Sequence, residues 1–90
     1  MGKKLPEQTK KEVKKARKAM KEGKADNIDR LLVIMSDGKW HDGAEFANKV
    51  TWRFSGTLHD LKKRHGVEWE KERIEGSTSG WCYRLLKEEA

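Results

Sequence analysis

Apolar side chains are sparse at the start of the chain and then recur, first with helical and later with alternating spacing. Over residues 7–22, EQTKKEVKKARKAMKE, strong helix formers bring Val13, Ala16, Ala19 and Met20 onto one rough face, and Gly23 offers a stop. The stripe is thin. A lone helix of this length is marginal in water, so this segment is expected to stay frayed or disordered, or to pack only weakly, until it meets a partner. The alternative is a fourth helix docked on the rest of the chain.

After residue 26 the pattern strengthens. Asp26, with Asp29 three residues on, is an N-cap candidate; Ile28, Leu31, Leu32 and Met35 recur at helical spacing, and Gly38 ends the run. Lys39, Trp40 and His41 are too short a connector for another helix. Asp42 followed by Glu45 predicts a reciprocal capping box opening a second helix over 43–50, with Phe46 and Val50 inward. Thr51 can cap a third helix, whose first turn could also begin near Ser55; Phe54, Leu58 and Leu61 form its buried face and Gly66 its terminator. The near contact of the second and third helices implies a sharp turn and a steep crossing. Beyond Gly66 the period becomes two: Val67 and Trp69, then Trp81, Tyr83 and Leu85, predict the arms of a hairpin whose tip lies in EGSTSG. Trp40 is expected in a third short strand.

Charge divides where hydrophobicity does. Residues 1–25 hold ten Lys or Arg against three Glu, a net +7, whereas residues 26–90 hold eleven against twelve, a net −1. The chain therefore reads as a basic extension, 1–25, joined to one nearly neutral α+β domain, 26–90, and the extension favours an anionic partner. Cys82 is the single cysteine, and His41, His59 and His65 match no zinc spacing, so neither a disulfide nor a metal site is expected. With no long apolar run and no secretory pattern, a cytoplasmic protein without membrane contact is expected.

The stretches LLVIMSDGKWHDGAEFANKV, RFSGTLHDLKKRHGVEW and GWCYRL, in that order, resemble the small winged helix-turn-helix DNA-binding domains of bacteria and their phages. The resemblance runs from Asp26 to about Leu86. It implies three core helices and a C-terminal β-hairpin wing, with 42–50 as support helix, 52–65 as the helix that enters the major groove, and 71–81 as the wing. The sequence departs from that pattern in carrying Glu68, Glu70, Glu72 and Glu75 against Lys71 and Arg73, where a DNA-contacting wing is expected to be basic.

Phe54, Leu58 and Leu61 facing inward would leave Trp52, Arg53, Gly56, Thr57, His59, Asp60, Lys62 and Lys63 on or beside the outward face. Arg53 could pair with guanine, Thr57 could offer a hydroxyl or methyl contact, and Gly56 would permit close approach, unless it serves a contact between helices. Lys62, Lys63 and Arg64 suit phosphate. In the extension Lys10, Lys11, Lys14, Lys15, Arg17, Lys18 and Lys21 supply affinity without a sequence code, and deleting residues 1–24 is expected to leave the fold intact. Double-stranded DNA is the expected partner and a regulatory or accessory role the expected function. RNA bound by shape, or a protein partner meeting the acidic hairpin, are the alternatives. Trp40, Trp69, Trp81 and Tyr83 are expected in the core rather than as a stacking platform, while Trp52 could cover the core or project. No cofactor motif is present, and the adjacent pairs His41–Asp42 and His59–Asp60 do not make a catalytic arrangement, so no enzyme is expected.

Overall fold

In the computed structural model, which describes residues 3–76 and 80–89, the segment expected to fray is instead built into the core. After the two-residue strand β1 (Lys3–Lys4), Pro6 leads into helix α1 (Glu7–Lys21), which buries Thr9, Val13 and Ala16. Val13 is 6% exposed and Ala16 is fully buried, and both join the main hydrophobic cluster. The reason is partnership: a stripe too thin to hold a helix alone suffices once the apolar face of a second helix covers it. Four helices, not three, thus pack together, and deletion of residues 1–24 is now expected to open the core.

Helix α2 (Asn27–Met35) starts as its sequence predicts. Asp26 Oδ1 accepts from Asp29 N–H at 2.9 Å, and Asp29 Oδ2 accepts from Asp26 N–H at 3.2 Å. Leu31, Leu32 and Met35 are fully buried beneath it. Strand β2 (His41–Asp42) leads directly into α3 (Gly43–Lys49), where only half of the expected capping box forms. Asp42 accepts from Glu45 N–H at 2.8 Å, but the Glu45 carboxylate turns to His41 and Lys49 instead.

Helix α4 (Phe54–His65) starts later than a Thr51 cap requires. Thr51 Oγ1 accepts from Arg53 N–H at 3.2 Å within the turn, and the N-cap position falls to Arg53, which makes no side-chain cap. Gly66 closes the helix at φ 67°, the left-handed conformation in which a Cβ is penalised.

Strands β3 (Trp69–Arg73) and β4 (Trp81–Leu85) form the hairpin, and β2 adds to the far side of β4, giving an antiparallel sheet in the order β2-β4-β3. The third strand is thus one residue beyond Trp40, with His41 opposite Tyr83. Residues 77–79 of the expected hairpin tip lie outside the described residues. Strand β5 (Glu88–Glu89) pairs antiparallel with β1, joining the two ends of the described chain.

Tyr83 ties sheet to helices through rings: its centroid lies 5.9 Å from Phe46, 5.9 Å from Phe54 and 5.8 Å from Trp69. Trp69 is held further by its indole N–H, which donates to the Leu58 carbonyl at 2.7 Å. Trp40 and Trp81 depart from the expected core. Both are half-buried outside the main cluster, Trp40 beneath Arg84 and Trp81 beneath Lys71 and Arg73. The result is a small α+β fold with four helices and a three-stranded antiparallel sheet.

Candidate nucleic-acid interface

Burial of Leu58 and Leu61 orients α4. At 100° per residue the opposite side carries Gly56, His59 and Lys63, all exposed. Nothing lies within 4 Å of where a Gly56 side chain would project, so Gly56 serves no contact between helices. That role belongs to Gly43, overlooked in the sequence, where a Cβ would stand 2.8 Å from the Phe54 ring. Lys62 leans toward the hairpin, with its ammonium 4.7 Å from the Trp69 ring and 4.0 Å from Glu68. Thr57, expected outward, is half-buried on the flank.

Trp52 and Arg53 lie in the turn before α4 rather than on it. Trp52 is 74% exposed, which settles its two sequence readings in favour of projection. The Arg53 guanidinium packs over its indole at 4.8 Å from the ring centre. Such a pair keeps the arginine extended while leaving its N–H groups to solvent.

Burying Thr9, Val13 and Ala16 turns the cations of α1 outward. Lys10, Lys11, Lys14, Lys15, Arg17, Lys18 and Lys21 are all exposed. Lys10 pairs with Glu7 at 3.7 Å and Arg17 donates to Ser36 Oγ at 3.1 Å; among the described residues the other five form no ion pair. One flank of α1 abuts the end of α4. Gln8 Nε2 donates to the His65 carbonyl at 2.9 Å, and Glu12 stands 3.5 Å from His65 Nδ1. Two basic segments distant in sequence, α1 and the Lys62-Lys63-Arg64 turn, therefore adjoin.

The acidic count of the hairpin conceals a division by face. Register places Trp69, Lys71 and Arg73 opposite Leu85, Tyr83 and Trp81 on the side that packs on the helices. Glu70 and Glu72 share the outer side with Arg84 and Cys82. There Arg84 pairs with Glu70 and stacks over Trp40, and Cys82 Sγ donates to the Glu72 carbonyl at 3.3 Å. Beyond Tyr83 the inner face borders a cavity of about 380 Å³ lined by Asp42, Gly43, Phe54, Ile74, Trp81 and Tyr83.

His41 bonds to Asp37 and Glu45 rather than to its neighbour Asp42, at 2.9 Å and 2.7 Å. Burial disfavours its charged ring, but the bonds to Asp37 and Glu45 outweigh burial and raise its pKa above 6.5. The bond from His41 Nδ1 lowers Glu45, and in Asp37 burial is overcome by the bond from His41 Nε2 together with that from Lys39 N–H, which lowers that carboxyl too. This cluster joins the turn after α2 to α3. Among the described residues no group of three or more His, Cys, Asp or Glu is arranged to hold a metal ion, and no helix is long and apolar enough to cross a membrane. Compared with protein-family models, curated proteins and solved structures, the chain finds no match.

Proposed function

We propose that this is a winged-helix protein that binds double-stranded DNA in an accessory or regulatory role, without catalysis. The observation that carries the reading is the junction at His65, where docked α1 meets the last turn of α4 through Gln8 and Glu12, both helices bearing exposed cations, together with a helix face free of covering side chains at Gly56. In this arrangement Gly56 and His59 face the major groove, Arg53 reaches into it from the turn beside Trp52, and Lys63, Lys11, Lys15 and Lys18 contact phosphates. The A-form major groove is too narrow to admit such a helix, which favours DNA over duplex RNA.

Fluorescence anisotropy with duplex DNA, duplex RNA and single strands at several salt concentrations tests the proposal. Duplex DNA should bind best, with affinity falling as salt rises, and replacing Lys11, Lys15 and Lys63 by Ala should flatten that slope. Weak binding that does not distinguish the three nucleic acids would overturn it and favour a protein partner.

A further inference from the structure

Trp81 is the tryptophan that cations crowd most. Whereas Trp69 is anchored to the Leu58 carbonyl, Trp81 stands outside the main cluster at the far end of the inner hairpin face. Lys71 Nζ and the Arg73 guanidinium converge on its ring, 4.8 Å and 5.4 Å from the centre. Among the described residues neither cation forms an ion pair. Two cations held over one ring repel each other, and an anion between them would remove the repulsion.

The adjoining cavity has the complementary character. Phe54 and Tyr83, in edge-on contact with each other, line the cavity with an aromatic wall that Phe46 and Trp69 brace from behind. Asp42 lies at its margin; one carboxylate oxygen caps α3, which leaves the other to accept from an N–H edge. Gly43 keeps the wall open, since a side chain there would drive the Phe54 ring aside. Aromatic walls, one hydrogen-bond acceptor and two adjacent cations together match a nucleobase still attached to its phosphate. An apolar peptide side chain would use the walls but not the charges.

We propose that this cavity takes one unpaired nucleobase, stacked on Trp81 with its phosphate at Lys71 and Arg73, so that the protein prefers a duplex ending in a single-stranded overhang. The proposal rests on the DNA-binding reading above but makes a separate demand, because α1 and α4 alone would treat blunt and overhung duplexes alike. Base–aromatic stacking tolerates any sequence, so the preference follows strand ending rather than base identity.

The full chain, labelled with 5-fluorotryptophan, is titrated with a blunt DNA duplex, the same duplex bearing a short oligo-dT overhang, and oligo-dT alone. The overhung duplex should bind about tenfold more tightly than the blunt one. It should also move the Trp81 fluorine resonance, assigned through Trp81→Phe, whereas the blunt duplex should not. Trp81→Ala should abolish the difference, and Trp81→Phe, which keeps a ring, should retain part of it. Equal affinities for the two duplexes, or a Trp81 resonance unmoved by the overhang, would overturn this inference while leaving the duplex reading intact. Oligo-dT binding that moves Trp81, without affinity for the blunt duplex, would support the cavity and reject the duplex reading. No affinity for any of the three would overturn both.

Discussion

Helices α2 and α4 each bury one apolar face in the same core, yet they begin in opposite ways. Helix α2 opens with a reciprocal box in which Asp26 and Asp29 satisfy each other's backbone N–H groups. Helix α4 opens on Arg53, which supplies no cap, beside a tryptophan left 74% exposed, and its outward side carries an uncovered glycine. A helix that only supports a fold is expected to close its ends and use strong helix formers. Helix α4 is closed by Gly66 but leaves its first turn without a side-chain cap and carries Gly56 outward, a departure that the proposed DNA contact would account for.

The largest test of this contrast concerns what the helices share. Leu58→Ala should destabilise the protein by about 2–5 kcal/mol in chemical denaturation, through lost contacts and a residual cavity. A change of a few tenths would refute the buried face on which every outward assignment on α4 depends. Next in size is Arg53→Ala, which should leave stability nearly unchanged. It should cost about 1–3 kcal/mol of preference for a selected duplex over a scrambled one if Arg53 pairs with guanine. Lys63→Ala, by contrast, should weaken both duplexes equally.

The caps sharpen the comparison further. Asp26→Ala should lower stability by about 1 kcal/mol, since it removes one half of a formed box, whereas Thr51→Ala should cost clearly less because Thr51 caps no helix. Gly56→Ala tests whether α4 sacrifices stability for access. With open space around it, the new methyl should stabilise the helix by roughly 0.5–1 kcal/mol, and thermal unfolding should register the gain while duplex affinity falls. A stabilised variant that binds as well as the parent would show that this side of α4 meets no groove.

The smallest effect is expected at His41. Its raised pKa gives stabilisation that is fully present below its ordinary value of 6.5 and is lost as pH rises through the raised one. The lowered carboxyls of Asp37 and Glu45 act above their ordinary 3.8 and 4.5 and lose their contribution as pH falls through the lowered values. His41→Gln should therefore cost most between 4.5 and 6.5, and least in alkaline buffer, where the histidine is already neutral. Because Asp37 is well exposed, solvent screening keeps the effect at about 1 kcal/mol or below. Denaturation midpoints of the two proteins across pH give the comparison, and a constant difference would show that the paired charges contribute nothing.

Local chemistry determined a good part of this protein. Asp26 with Asp29, the spacing of Leu31, Leu32 and Met35, Gly66 as terminator and the alternation around Trp69 and Tyr83 each act within a few residues, so they are readable along the chain. The order of helices, the hairpin and the inward set on α4 follow from them. What only the tertiary structure decided depends on groups far apart in sequence. Whether α1 docks turns on the cover that α2 offers Val13 and Ala16, which the thin stripe itself does not reveal. Glu45 left its half of the capping box because His41 and Lys49 compete for the same carboxylate. The separation of Lys71 and Arg73 from Glu70 and Glu72 was latent in their alternation, but only the cross-strand register placed Trp81 among the cations. Composition sums charge along the chain, whereas a partner meets one face of a folded surface.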